Sequence, residues 1–324
     1  MRAEGRYKRL VSPGETISFP TFPRFPISLI QGVFGLKVSI YNSKNKGCDS
    51  MCQKRIAIVN DMTGFGRSST AVQLPIISAL KIQGCLFPTA ILSVHTGFPD
   101  FFIDDYTDRM QPYMESWRKN HLAFDGILTG FLGSVSQVEI VMDFIRDFKK
   151  GGTKVIMDPV MGDNGKLYPS YTEELCRRMR ELLALSDVIT PNLTEACELL
   201  DLPYPEEGTF SREILGNMAC ALSEKGPSGV VITGLPEGED LMNFMYERGK
   251  GFSIHPVKKI GSDRSGTGDV YSAVVAAKIV RGESLENAVK SAASFVSRCM
   301  TYTEELDLPR NWGLAFEEFL TDLK

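Results

Sequence analysis

The chain is short of the residues on which several common enzyme chemistries depend. Its 324 residues include only three His, and no HExxH spacing occurs, which argues against a zinc hydrolase. Seven cysteines, Cys48, Cys52, Cys85, Cys176, Cys197, Cys220 and Cys299, are scattered and odd in number. None forms a CxxC pair, and Cys48 and Cys52 have no second pair to complete a zinc site. Reduced thiols in a cytoplasmic protein is the reading that fits. No apolar run approaches the roughly 18–20 residues of a membrane span. There is no P-loop GKS or GKT, and the stretch from Gly64 fails GxGxxG because position 69 is Ser. A net charge of −4 gives no reason to expect nucleic acid or a membrane as partner.

What is present is a full apolar complement, 43% of residues, enough for one large α/β domain or two smaller ones. Residues 1–50 differ from the rest, with eight Lys/Arg against three Asp/Glu and a Phe-Pro repeat over Ser18–Pro26 that excludes helix and inner strand. They read as an N-terminal extension, or as a start placed too far upstream of Met51, and residues 51–324 as one domain. From Arg55 the pattern is regular. Strands are expected at 55–60, 86–93, 124–129, 153–157, 187–190 and 229–233, with an antiparallel pair over 241–257. Helices are expected at 68–82, 104–121, 136–150, 171–183, 193–200, 211–225, 267–281 and 284–302. Such alternation means a mostly parallel central sheet with helices on both faces, a three-layer α/β fold.

In sheets of this kind ligands bind beyond the carboxyl ends of the strands. There the chain carries Asn60-Asp61 before a Gly-rich turn, His95-Thr96-Gly97, Thr129-Gly130-Phe131, Asp158-Pro159-Val160-Met161-Gly162-Asp163, Thr190-Pro191-Asn192-Leu193-Thr194-Glu195, and Thr233-Gly234. Each has a plain structural reading beside the functional one. His95 alone is more often structural. Phe131 could stack on a flat ring or fill core. Asn192 with Glu195 three residues on is a capping-box pattern. The most informative stretch is Gly266-Thr267-Gly268-Asp269 at a helix start. Bare N–H groups and the helix dipole favour an anion there. An acid beside a phosphoryl cradle is the minimal equipment for phosphorylating an alcohol.

Taken in order, these segments resemble the ribokinase superfamily and, within it, the pyridoxal (vitamin B6) kinases, over residues 54 to about 300. Asp158–Asp163 is similar to their DPVxGD, Thr190–Glu195 to their TPNxxE, His95–Gly97 to their HTG, and Gly266–Asp269 is the superfamily signature. The resemblance implies a ribokinase-like fold and ATP-dependent phosphorylation of the 5′-hydroxymethyl group of pyridoxal, pyridoxine or pyridoxamine. It implies Asp269 as the base, with N–H groups from Gly266 through Thr267 and Gly268 to Asp269 as the anion hole. It places Asp158 and Glu195 at Mg²⁺, Thr190, Asn192 and Asp163 by the phosphates, Thr233 and Gly234 on the phosphate side, and Lys259 and Ile260 near the nucleoside. Asp61, His95, Thr96 and Phe131 would face the pyridine ring. ATP and Mg²⁺ are the implied cofactors, a monovalent cation such as K⁺ stays open, and a homodimer is expected. The first loop is shorter than is usual in the family, and Phe131 stands where many members have Tyr. Both departures bear on substrate choice. Two rivals remain: a hydroxymethylpyrimidine kinase of thiamine synthesis, and a non-catalytic protein that binds vitamer or nucleotide.

Overall fold

Arg55-Ile56-Ala57-Ile58-Val59 sends alternate side chains into two apolar layers, and the domain is built around that alternation. In the computed structural model, which describes residues 53–205 and 211–323, Ile56 and Ile58 lie in one core layer and Ala57 and Val59 in the other, all wholly buried. A strand buried on both faces belongs to the interior of a parallel sheet.

The elements run β1 (Arg55–Phe65), α1 (Thr70–Ala79), β2 (Gln83–Val94), β3 (Ile103–Asp105), α2 (Thr107–Lys119), β4 (Gly126–Thr129), α3 (Val135–Phe148), β5 (Lys154–Met157), β6 (Gly162–Asp163), β7 (Lys166–Leu167) and α4 (Glu173–Met179). After a 3-10 helix (Arg180–Leu185) come β8 (Val188–Ile189), α5 (Leu193–Leu200), α6 (Arg212–Glu224), β9 (Gly229–Glu237), β10 (Asp240–Glu247), β11 (Gly251–Val257), α7 (Thr267–Val280) and α8 (Leu285–Glu305). Two short 3-10 helices, Arg310–Trp312 and Glu317–Leu323, close the chain. The main sheet has the order β11-β10-β9-β8-β5-β4-β1-β2-β3. Its six central strands, β9 through β2, pair in parallel. The edge strands β10, β11 and β3 are antiparallel. Helices α2 to α6 pack on one face and α1, α7 and α8 on the other. This is the expected three-layer architecture. Among the described residues no helix is long and apolar enough to cross a membrane, and Cys85, Cys176, Cys197, Cys220 and Cys299 are free. The expectations for residues 1–50 and for Cys48 and Cys52 fall outside the described residues.

Several boundaries differ from expectation, each for a local reason. β1 does not end at Asn60 but runs on to Phe65, so Asp61 lies in a strand and not in a loop. The register with β2 slips between Asn60 and Met62, opposite Pro88, whose missing N–H cannot join the ladder. Asp104 belongs to the edge strand β3, and α2 starts only at Thr107, where the Asp105 side chain accepts the Thr107 N–H at 2.7 Å. The helix expected over 171–183 tightens into 3-10 geometry after Met179. β9 passes Thr233 and reaches Glu237. The β6–β7 hairpin was missed, although Asn164-Gly165, at φ 50° and 73°, is the residue pair such turns favour.

Candidate active site

Gly266 caps α7 in the left-handed region, φ 80°, with no side chain satisfying the first-turn N–H groups. A Cβ at Gly266 would overlap the Arg67 carbonyl oxygen, so only glycine lets the β1–α1 connection lie against the helix start. The Thr267 N–H and hydroxyl both turn back to the Arg264 carbonyl, at 3.4 and 2.8 Å. Of the four N–H groups from Gly266 to Asp269, only that of Thr267 is engaged; those of Gly266, Gly268 and Asp269 have no partner among the described residues. Unpaired N–H groups at the start of a 14-residue helix are chemically suited to an anion.

Asp269 is half-buried in the first turn of α7. Its Oδ2 accepts the Ser69 N–H at 2.7 Å. Its Oδ1 accepts Asn60 Nδ2 at 3.2 Å and Gln73 Nε2 at 3.3 Å. Burial, reinforced by the negative charges of Asp158 and Asp61, pushes its pKa up to about 8 against the pull of those donors. An acid tuned near neutrality suits proton abstraction.

Asp158 follows β5, and Glu195 sits at the third position of α5. The structural reading of Glu195 holds. Its Oε2 accepts the Asn192 N–H at 2.8 Å while Asn192 Oδ1 accepts the Glu195 N–H at 2.9 Å, a complete capping box. Its Oε1 accepts the Met161 N–H at 3.2 Å, which draws the Asp158–Asp163 segment over the cap. Asn192 Nδ2 fastens the same segment through the Gly162 carbonyl at 2.8 Å. Burial pushes Asp158 up to about 7, and burial together with the Asp158 charge holds Glu195 well above the usual carboxylate range. Two buried oxygen donors that repel each other fit a hard divalent cation such as Mg²⁺. Among the described residues no group of three or more His, Cys, Asp or Glu gathers to hold a metal, so a cation held by this pair would draw on water and phosphate as well.

The groups expected around a ring lie on β1 and the neighbouring loops. Asp61 is buried, accepts the Thr63 hydroxyl at 2.7 Å, and is raised in pKa chiefly by burial. Phe131 is half-buried, edge-on to Tyr171 with ring centroids 6.2 Å apart, and its N–H donates to Asn60 Oδ1 at 2.8 Å. His95 is fastened at both nitrogens. Gly97 N–H donates to Nδ1 at 3.1 Å, which assigns Nε2 as donor to the Asn311 carbonyl at 2.7 Å. Both ring nitrogens are thus engaged in holding the loop. Thr96 is exposed at the tip of that turn.

The remaining expected residues scatter more. The Thr190 hydroxyl is buried without a hydrogen-bond partner among the described residues. Thr233 bonds back to the Pro191 carbonyl. Gly234 is not bare backbone, because its N–H donates to Asn243 Oδ1 at 3.1 Å. Asp163 is exposed on the β6–β7 hairpin and feels Asp263 and Arg310. Lys259 is exposed and Ile260 half-buried on the connection from β11 to α7.

Four contributors were not foreseen. Asn60 and Gln73 are the amide donors to Asp269. Gln73 is a wholly buried amide on the otherwise largely apolar stripe of α1, a signal present in the sequence. Tyr168 lies in the field of Glu195, Asp163, Asp158 and Asp269, which raises its pKa after burial has done so. Residues 308–317 reach back over the site. Trp312 packs edge-on to Phe65 at 5.4 Å, and Arg67 bonds the Trp312 carbonyl and Glu317. No local pattern announces that return.

Comparison with known proteins agrees with this geometry. The family model described as phosphomethylpyrimidine kinase matches residues 77–311. The chloroplastic thiamine biosynthetic bifunctional enzyme of Arabidopsis thaliana is 26% identical over 75% of this chain and 44% of its own length. Pyridoxal kinase of the same plant is 34% identical over 56% of this chain and 60% of its own. The chain thus spans less than two thirds of the length of either relative. A Bacteroides thetaiotaomicron protein assigned as a phosphomethylpyrimidine kinase, crystallised with pyridoxal, superposes with a TM-score of 0.81 at 37% identity, covering 84% of this chain and 96% of that one. With the parallel sheet, the Gly266–Asp269 helix start and the Asp158–Glu195 pair in place, the chain belongs to the phosphomethylpyrimidine kinase family, as a pyridoxal kinase-like member of the ribokinase superfamily whose relatives are phosphotransferases with an alcohol group as acceptor.

Proposed function

We propose that the chain transfers the γ-phosphoryl group of ATP to the 5′-hydroxymethyl group of a B6 vitamer. The observation that carries this reading is Asp269: a carboxylate tuned near neutrality, beside the open N–H groups of Gly268 and Asp269 at the start of α7. Asp269 takes the hydroxyl proton, and those N–H groups receive the negative charge of the phosphoryl group in flight. Asp158 and Glu195 would hold Mg²⁺, which when bound neutralises phosphate charge. Thr190 and Asn192 are assigned to the phosphate side; the buried Thr190 hydroxyl has no hydrogen-bond partner among the described residues, which supports the assignment. Asp61, a buried acid, shares a proton with the ring nitrogen, while Phe131 offers a ring face. The Asp158–Asp163 segment and the pyridoxal-bound Bacteroides structure favour a pyridine over a pyrimidine acceptor. A homodimer in the cytoplasm, using Mg-ATP, completes the proposal.

Steady-state kinetics on pyridoxal, pyridoxine, pyridoxamine and hydroxymethylpyrimidine with Mg-ATP test it. The expected result is a kcat/KM for one of the B6 vitamers at least tenfold above that for hydroxymethylpyrimidine. The reverse ranking would assign the chain to thiamine synthesis, and no ADP release with any of the four would leave it a binding protein.

A further inference from the structure

Asn60 is one of the most constrained side chains of the described residues. It is 1% exposed. Its Oδ1 accepts two backbone N–H groups, from Asp61 at 2.9 Å and Phe131 at 2.8 Å. A carboxamide oxygen facing two donors fixes which way the amide points. Nδ2 then faces the other side with two hydrogens and meets two acceptors, Gln73 Oε1 at 3.1 Å and Asp269 Oδ1 at 3.2 Å. With its own oxygen occupied, Gln73 turns Nε2 to the same Asp269 Oδ1, at 3.3 Å. Gln73 is wholly buried. Room for the Asn60 amide exists because residue 130 is glycine: a Cβ there would overlap the amide nitrogen and carbon. The polarity of the whole chain of bonds is therefore set by two peptide N–H groups and ends on one carboxylate oxygen.

The two oxygens of Asp269 are consequently unequal. Oδ1 accepts two amide N–H groups. Oδ2 accepts one, from Ser69, and keeps a lone pair. Ser69 is placed by an unusual backbone: φ is 110° at Gly66, 40° at Arg67 and 57° at Ser69. A proton on Oδ1 would face two donors and displace at least one of them. A proton on Oδ2 leaves every bond of the amide pair intact in polarity.

We propose that Asn60 and Gln73 are positioning residues that reserve Oδ2 of Asp269 for the substrate proton, and that Asn60 links this base to the backbone of the ring pocket at Asp61 and Phe131. This rests on Asp269 being the base. In the step, the acceptor O–H bond breaks and its proton passes to Oδ2. The freed oxygen bonds the γ-phosphorus, and the bond from that phosphorus to the ADP oxygen breaks. Asn60 and Gln73 neither gain nor lose a proton. Because Asn60 Oδ1 holds the Phe131 and Asp61 N–H groups, a shift of the ring pocket moves the base with it, so ring seating and base alignment are one event.

The test is steady-state kinetics of the full chain with pyridoxal and Mg-ATP, with melting curves alongside. Asp269→Asn is expected to lose roughly 10²–10⁴-fold in kcat. Gln73→Met keeps the length of the side chain and removes one donor; kcat should fall about tenfold, with both KM values within about twofold. Asn60→Asp still accepts the two peptide N–H groups but sets an oxygen against Oδ1; kcat should fall about 100-fold with KM for pyridoxal little changed. Asn60→Ala releases the pocket backbone too, so KM for pyridoxal should also rise, by about tenfold. If Gln73→Met and Asn60→Asp keep kcat within about threefold while Asp269→Asn is inactive, the positioning role is overturned and the base stands. If both KM values move with kcat as melting falls, the amides serve packing alone and the proposal is again overturned. If Asp269→Asn turns over normally, the base assignment fails and takes the proposal with it. Should Asn60→Asp not fold, Gln73→Met decides between the same outcomes.

Discussion

Asp158, Glu195 and Asp269 are carboxyl groups whose proton affinity rises on folding, to about 7 for Asp158 and about 8 for Asp269. The sign of the consequence is fixed by linkage. Between the unfolded carboxylate range near pH 4 and these folded values, the native state holds more protons than the unfolded chain. Their contribution to stability is thus full below about pH 4 and is lost as pH rises toward 8. The metal-free protein should melt at a lower temperature at pH 8 than at pH 6. Added Mg²⁺ should recover more of the melting temperature at pH 8, because it binds the ionised pair. Asp158→Asn should shrink both the pH difference and the Mg²⁺ gain, and should raise the Mg²⁺ needed for half-maximal rate. A melting temperature flat from pH 6 to 8, or higher at 8, would contradict the electrostatic account of this pair.

At the scale of elements, the site depends on two helix starts with opposite designs. α5 is closed by its own capping box, and the cap side chains reach out to hold the Asp158–Asp163 segment. α7 carries no side-chain cap, and the neighbouring loop rests on its open end. Gly266→Ala places a Cβ at φ 80° and against the Arg67 carbonyl. The backbone strain alone is worth about 1–3 kcal/mol, and the overlap must be relieved by moving the loop that donates Ser69 N–H to Asp269. Melting temperature and turnover should therefore fall together, with kcat down by at least about tenfold. Normal turnover in a destabilised Gly266→Ala protein would show that loop position is not coupled to the base.

On the scale of the whole molecule, the two core layers meet across β1, and every described element of the sheet and its helices lies after residue 53. A chain begun at Met51 is expected to melt within a few degrees of the full chain and to turn over at a similar rate. Insoluble or inactive protein would show that residues 1–50 contribute to folding or catalysis. The opposite end is different in kind. Leu314, Ala315, Phe316 and Leu323 are buried, and Asn311 and Trp312 accept hydrogen bonds from His95 and Arg67. The C-terminal segment thereby joins the loops after β1 and β2 to the connection before α7, where Arg264 bonds the Leu308 carbonyl.

The fold class follows from local information, whereas the strand order emerges only in the structure. Apolar runs four to six residues long alternate with helical periodicity, and only a parallel sheet with two helical layers buries both. The helix start at Gly266–Asp269 and the Asn192–Glu195 cap were legible for the same reason, since both are decided within one turn of backbone. The extension of β1 past Asn60 was not legible, because the bulge opposite Pro88 belongs to a strand pair and not to one strand. Nor was the fate of Gly234, which depends on Asn243 across a hairpin. Asn60 and Gln73 are 209 and 196 residues from the carboxylate they orient. Which donors that carboxylate receives, which of its oxygens stays open, and how the Asp158 charge raises Glu195 and Asp269 are properties of distance in space. Periodicity and short motifs carry the backbone's local preferences, while electrostatics and hydrogen-bond polarity between distant segments arise only once the sheet has brought their ends together.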